Sequence, residues 1–145
     1  DLFVLGRSNF QRQYEPIWYG WPKGGPSTFQ GARDQSDLWE SPRPRVSEAH
    51  PTMKPAALVE KALLNSSRQG TLVLDPFLGS GTTLVVAEVL RRQCFGLEIA
   101  PGYVDAIVRR WMDQTGKEPR LVREGREVPW VEISAGFVTA ASAGG

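Results

Sequence analysis

The spacing of apolar positions changes repeatedly along the chain, and it predicts helices that alternate with strands. Apolar residues recur at helical spacing over 55–65 and 101–116, which predicts two helices, and the apolar stretch over 82–90 is interpreted as a third. Short apolar runs at 72–74 and 94–99 are typical of strands covered on both faces of a parallel sheet. This order predicts an α/β fold with a mainly parallel sheet and flanking helices, in which ligands bind at the carboxyl ends of the strands.

The flanking segments have weaker patterns. Residues 1–22 alternate apolar or aromatic groups with polar ones before a Pro- and Gly-containing stretch, which predicts an N-terminal antiparallel hairpin. Residues 23–51 are rich in Gly, Pro, Ser and charge, so we expect a long surface loop. A further strand is expected around 128–133. We expect one domain over 1–134 and a flexible tail over 135–145.

Composition excludes several classes of protein. The 17 Lys+Arg nearly balance the 16 Asp+Glu, so any contact with a polyanion must be local. Cys94 is the only cysteine, which excludes an internal disulfide and favours a reducing, cytoplasmic location. No stretch approaches the roughly 18 to 20 apolar residues of a membrane helix. The chain starts at Asp1 and enters an apolar run at once, so we expect it to be the inside of a longer chain.

The stretch from Asp75 to Thr83 joins a predicted strand to a predicted helix through a Gly-rich turn. A phosphate-binding P-loop requires a lysine that this turn lacks. A dinucleotide fingerprint requires a third Gly or Ala where Leu84 stands. A serine nucleophile elbow is excluded because glycines flank Ser80 directly.

A cationic cofactor suits this turn better than a nucleotide phosphate. The methionine part of S-adenosylmethionine carries an ammonium and a sulfonium, which Asp75 would attract. Glu98 follows the next predicted strand, where an acidic side chain can accept both hydroxyls of a ribose. The alternative for Glu98 is a solvated carboxylate at the end of a strand.

Several motifs resemble those of DNA amino-methyltransferases that act on adenine N6 or cytosine N4. The stretch 75–83 is similar to their cofactor-binding motif, and 96–103 is similar to their acidic second-strand motif. His50-Pro51-Thr52-Met53-Lys54-Pro55 resembles the motif that precedes the cofactor motif in the permuted β class. Residues 3–8 and 14–17 are similar to a stretch of phage-type and ParB-linked modification methylases.

The resemblance implies a Rossmann-like class I methyltransferase fold and S-adenosylmethionine as the cofactor. It implies that Thr52 and Lys54 shape the methionine end of the pocket, that backbone amides of 79–83 cradle that end, and that Glu98 holds the ribose. The implied cofactor-binding residues are Thr52, Lys54, Asp75, Pro76, Phe77, Gly79, Ser80, Gly81, Thr82, Thr83, Glu98 and Ile99.

The Asp/Asn/Ser-Pro-Pro-aromatic motif that binds the target amine in this family does not occur in the sequence. Asp75-Pro76-Phe77 is followed by Leu78 instead of an aromatic residue. We therefore interpret the chain as the C-terminal, cofactor-binding part of a DNA methyltransferase, without a catalytic residue of its own and with adenine N6 favoured as the family target. The alternatives are an inactive cofactor-binding remnant and a small regulatory module that binds adenosine nucleotides.

The expected partners are DNA and the N-terminal part of the same enzyme, and a second copy of this chain is a further possible partner. An aromatic cluster at residues 10–21 could stack on bases, although filling a core is the more common role of such residues. The lone His50 has no second imidazole or thiolate nearby in sequence, so we expect no metal site. The candidates for DNA contact are Arg7, Arg33, Arg43 and Arg45.

Overall fold

Helices and strands alternate along the C-terminal part of the computed structural model, which describes residues 9–10, 14–41 and 54–130. The three predicted helices and the two predicted parallel strands are confirmed, and the fold is of the α/β class. The elements are α1 (Ala56–Ser66), β1 (Leu72–Asp75), α2 (Thr82–Val89), β2 (Gln93–Gly96), α3 (Pro101–Thr115), β3 (Arg120–Arg123) and β4 (Arg126–Pro129).

The strands β1 and β2 pair in parallel, with Asp75 opposite Gly96. The helix α2 connects the two strands, as a parallel pair requires. Because the strands are parallel, their carboxyl ends meet at one edge of the sheet. The second strand is shorter than the predicted 94–99. The Leu97 amide still donates to the carbonyl of Asp75 at 2.9 Å, but the chain then turns so that Glu98 reaches back towards the Gly-rich turn.

The core lies on one face of this sheet. Leu63 of α1 and Val86 and Ala87 of α2 are buried there, with Val73 and Cys94 packed against them. The prediction that both strand faces are covered is wrong for the described residues. Alternate side chains of a strand point to opposite faces, and the face that carries Val73 and Cys94 is the one that packs against the core. The large apolar side chains that stay exposed on the two strands are Leu72, Leu74 and Phe95.

The helix α3 begins and ends as its sequence predicts. Pro101 occupies the start of the helix, where its missing N–H removes no intrahelical bond. Gly116 ends it in the left-handed region with φ of 67°, and its amide donates to the carbonyl of Met112 at 2.7 Å. None of the described helices is long and apolar enough to cross a membrane.

The strand predicted at 128–133 is corrected. The observed β4 covers Arg126–Pro129 and pairs antiparallel with β3, which was not predicted; residues 131–133 lie outside the described residues. Glu124 and Gly125 join them with φ of 51° and 75°, as in a tight hairpin turn. Every residue of β3 is exposed, so the sequence of this segment shows no alternation of buried and exposed positions that would predict a strand.

The N-terminal hairpin predicted over 1–22 is wrong for residues 14–22, which contain no strand. Residues 1–8 and 11–13 lie outside the described residues. The aromatic cluster does not fill a core either: Trp18 is 96% exposed, and the ring centroid of Tyr19 lies 5.9 Å from that of Trp21 and 6.2 Å from that of Phe29. These rings lie outside the cluster of buried side chains that α1 and α2 form.

The described part of 23–51 holds no helix or strand, as predicted for a loop. It is nevertheless fixed to the end of α1. The side-chain amides of Gln35 and Asn65 exchange two hydrogen bonds of 2.9 Å each. In addition, the backbone amide of Gln30 donates to the backbone carbonyl of Asn65 at 2.7 Å. Residues 42–51 and the tail 135–145 lie outside the described residues.

Candidate functional site

A tight turn after β1 forms the centre of the site. The Gly81 amide donates to the carbonyl of Leu78 at 2.8 Å, and Gly79 and Gly81 have φ of 55° and 76°. A Cβ built on Gly79 would meet only the carbonyl oxygen of Phe77, at 3.8 Å. A Cβ on Gly81 would lie 2.9 Å from the Ile107 side chain. The turn therefore leaves open space at Gly79 and packs against α3 at Gly81.

Asp75 stands at the carboxyl end of β1, directly before this turn. Its Oδ1 accepts a hydrogen bond from the Phe77 amide at 3.0 Å, which fixes the side chain over the start of the turn. Burial, and then the negative charge of Asp75, raise the pKa of the Cys94 thiol on the neighbouring strand. The Cys94 thiol therefore stays neutral at pH 7, and it packs against the core.

Glu98 bridges the turn and the beginning of α3. The Gly79 amide donates to its Oε2 at 2.8 Å, and the Ala100 amide donates to its Oε1 at 2.9 Å. Each carboxylate oxygen has more than one lone pair, so a bound hydroxyl can still be accepted. The carboxylate is thus held in a defined position beside the open space at Gly79.

Arg110 and Ile107 support the turn from the side of α3. The Arg110 Nη1 donates to the carbonyl of Ser80 at 3.0 Å and lies 3.4 Å from the Thr82 hydroxyl. Thr82 is buried, and its hydroxyl is 3.2 Å from that of Ser80. Sequence reasoning missed both supporting residues. Residues three apart on a helix share a face, but that spacing does not say which element the face contacts.

Apolar surface lies on both sides of the acids. Phe77 is 87% exposed and Ile99 is 97% exposed, and Pro76 is also exposed. Phe77 follows Asp75 by two residues, and Ile99 follows Glu98 directly. Exposed apolar side chains next to a hydrogen-bonding edge suit a flat heterocycle with a sugar attached.

Lys54, Thr83 and Arg33 are further predicted residues that the structure describes. Lys54 forms an exposed ion pair with Glu15. Thr83 is half-buried in the first turn of α2, and Arg33 is exposed in the loop that is fixed to α1. The structure brings Asp75, Gly79, Gly81 and Glu98 together at one edge. The predicted residues that lie outside the described residues are Thr52, Arg7, Arg43 and Arg45.

Comparison with known proteins gives a consistent family. The DNA methylase family, whose members act on N6 or N4 amines, matches residues 6–109. The DNA adenine methyltransferase YhdJ of Escherichia coli K12 is 39% identical over 92 residues, covering 61% of this chain and 31% of its own length. The type II methyltransferase M2.MboI of Moraxella bovis is 33% identical over 111 residues, covering 74% and 40%.

Solved structures are similar over shorter stretches. The complex of M1.HpyAVI with SAM is 32% identical, with a TM-score of 0.48 over 57% of this chain and 43% of that chain. The cytosine-N4-specific PvuII DNA methyltransferase is 38% identical, with a TM-score of 0.44 over 47% and 24%. The chain spans 31% to 40% of the length of the two curated relatives above. With 104 consecutive residues matched by the family, from 6 to 109, the chain belongs to the N6/N4 DNA methylases.

Proposed function

We propose that this chain binds S-adenosylmethionine and supplies the cofactor-binding part of a DNA methyltransferase that acts on an exocyclic base amine. One observation carries the proposal: the carboxylate of Glu98 accepts a hydrogen bond from the Gly79 amide, in the turn that joins β1 to α2. The acid expected to hold a ribose and the turn expected to hold the methionine end therefore form one unit.

The residues present fit this cofactor in their chemistry. Asp75 offers a negative charge to an ammonium or a sulfonium, and Glu98 offers acceptor oxygens to ribose hydroxyls. The open space at Gly79 allows a ligand to approach the backbone, and Phe77 and Ile99 offer apolar surface to the adenine ring. The remaining proposed contacts are those expected from the family resemblance, including Thr52, Lys54, Ser80, Thr82 and Thr83.

When bound, S-adenosylmethionine supplies an activated methyl group that an exocyclic amine can accept. In this account the chain's own residues bind and orient the donor. The Pro-Pro-aromatic motif that holds the acceptor amine in this family is absent from the sequence. A partner segment of the same enzyme class would supply that motif, and DNA would be the substrate. Adenine N6 is the target we favour, and a homodimer is one arrangement of the partners.

Two other functions make different predictions. An inactive remnant would bind the cofactor but gain no activity from a partner segment. A regulatory module for adenosine nucleotides would bind those nucleotides as well as it binds the cofactor.

A competition assay separates these ligand classes. Labelled S-adenosylmethionine would be bound to the purified chain and displaced with S-adenosylhomocysteine, ATP or NAD. We expect S-adenosylhomocysteine to displace it at low concentration and the two phosphate-bearing nucleotides to need at least about a hundredfold more, since the turn lacks a phosphate-binding lysine. Equal displacement by ATP would contradict the proposal in favour of the regulatory module.

A further inference from the structure

We propose that Arg110 is a positioning residue, which sets the conformation of the Ser80–Gly81 peptide and thereby the affinity of the site for S-adenosylmethionine. This inference rests on the proposed function. Its first support is the hydrogen bond of 3.0 Å from Nη1 of Arg110 to the carbonyl of Ser80. A charged donor makes a stronger hydrogen bond than a neutral one.

The bonded carbonyl belongs to the central peptide of the turn. The Gly81 amide is the other half of the same peptide, and it donates to the carbonyl of Leu78 at 2.8 Å. A peptide is planar, so fixing its oxygen also fixes the direction of its N–H. Arg110 therefore defines how the turn closes in front of α2.

The same guanidinium reaches the first residue of α2. Its Nη1 lies 3.4 Å from the Thr82 hydroxyl, which is buried and lies 3.2 Å from the Ser80 hydroxyl. Ile107, one helical turn earlier on α3, packs beneath Gly81. Arg110 therefore joins α3, the turn and the start of α2 through polar contacts, and Ile107 adds an apolar contact to Gly81.

Glu98 holds the preceding residue of the turn. It accepts the Gly79 amide, whereas Arg110 donates to the Ser80 carbonyl, so two neighbouring residues of the turn are bound by opposite charges. Glu98 also has a proposed contact with the ribose. Arg110 has no such assignment, and its effect on binding would pass through the turn.

The test compares Arg110→Met with Arg109→Met, because Arg109 is the exposed neighbour on the same helix. Affinity for S-adenosylmethionine would be measured by calorimetry, and unfolding by urea would be measured on the same samples. We expect Arg110→Met to weaken binding by about tenfold, Arg109→Met to leave it unchanged, and Arg110→Lys to restore most of it, because an ammonium keeps the charge and a donor. If Arg110→Met does not fold, Arg110→Gln takes its place.

A second readout does not need the cofactor. Hydrogen exchange of the Gly81 amide should be about tenfold faster in Arg110→Met than in Arg109→Met, because the turn opens more often. Equal exchange rates would overturn the inference, as would equal affinities in two folded variants. A wild-type chain that binds no S-adenosylmethionine would contradict the proposed function, while the exchange rates would still decide the role of Arg110.

Discussion

At the scale of single residues, the site depends on a few positions that cannot change without moving the turn. Gly81 combines a left-handed φ of 76° with close packing against Ile107. Gly79 has a similar φ but open space around it. The two glycines are therefore required for different reasons. Gly79 leaves space for a ligand to approach the backbone, whereas Gly81 allows the left-handed backbone conformation and the close packing against Ile107.

Gly81→Val should destabilise the chain by at least about 2 kcal/mol, because a β-branched residue is strained at this φ and collides with Ile107. The measurement is the free energy of unfolding in urea. The matched control is Gly102→Ala in α3, where an added Cβ meets nothing within 4 Å and stability should be unchanged or slightly raised. Similar free energies for the two variants would contradict the packing at Gly81.

The sequence predicted the residues of the turn better than their supports. Asp75 and the two glycines follow β1, and Glu98 follows β2, so the order of strand, turn, helix and strand sets their spacing along the chain. Arg110 was not predicted because its role depends on how α3 crosses the turn, which spacing within α3 does not state. Thr82 was predicted as a cofactor contact, and its buried side chain is directed to Ser80 and Arg110.

At the scale of elements, side-chain pairs fix the loops and helices around the sheet. The helices and β1 were predictable from periodicity, since each buries one face. The hairpin of β3 and β4 was not, because its side chains are mostly exposed and its turn depends on Glu124 adopting a positive φ. The loop over 14–41 has no periodicity, so its attachment to α1 could be found only from contacts.

The attachment of this loop should depend on Gln35 and Asn65. Asn65 is buried, and its amide is matched by that of Gln35 in both directions. A double-mutant cycle with Gln35→Ala and Asn65→Ala should give a coupling energy of about 1 to 2 kcal/mol. The exposed pair Gln30 and Arg68, joined at 2.9 Å, is the control and should give less than about 1 kcal/mol. Additive effects at Gln35 and Asn65 would contradict a fixed loop.

The contact between Glu88 of α2 and Lys117, two residues beyond α3, should depend on pH. The hydrogen bond from Lys117 lowers the pKa of Glu88 below its ordinary value of 4.5. A lowered pKa in the folded state adds stability above pH 4.5 that is lost as the pH falls through the folded value. The pair is partly exposed, so its contribution should stay below about 1 kcal/mol.

Lys117→Met tests this pair. The wild-type chain should be more stable than the variant at pH 7, and the difference should be smaller at pH 3. Urea unfolding at both pH values gives the two differences. A difference of the same size at pH 3 would show that Lys117 acts through packing on Trp111, whose ring centroid lies 5.9 Å from its Nζ, and not through Glu88.

At the scale of the whole molecule, the chain is one part of a methylase fold. It spans 31% to 40% of the length of the two curated relatives above, and one face of its β1–β2 sheet exposes Leu72, Leu74 and Phe95. The family could be predicted from the sequence because its motifs are local. The bare face could not, because an apolar run looks the same whether one or both faces are covered.

The chain by itself should transfer no methyl group to DNA, although it should bind the cofactor. Orientation of two reactants can contribute roughly 7 to 11 kcal/mol of a barrier, and the sequence has no motif that holds the acceptor amine. The measurement is incorporation of tritiated methyl groups into mixed-sequence DNA, with and without an N-terminal segment that carries the Pro-Pro-aromatic motif. Incorporation only with the segment supports the proposed part, and incorporation by the chain alone would contradict it.

The most direct test of the central claim is calorimetric titration of S-adenosylmethionine, and of an analogue without both ribose hydroxyls, into the wild-type chain and Glu98→Gln. Glu60→Gln, an exposed acid on α1, is the control. The wild-type chain and the control should bind the cofactor equally, and Glu98→Gln should bind it about ten- to a hundredfold more weakly. The analogue should bind more weakly than the cofactor to the wild-type chain, and Glu98→Gln should discriminate little between them. No binding by the folded wild-type chain, or unchanged discrimination in a folded Glu98→Gln, would contradict the account.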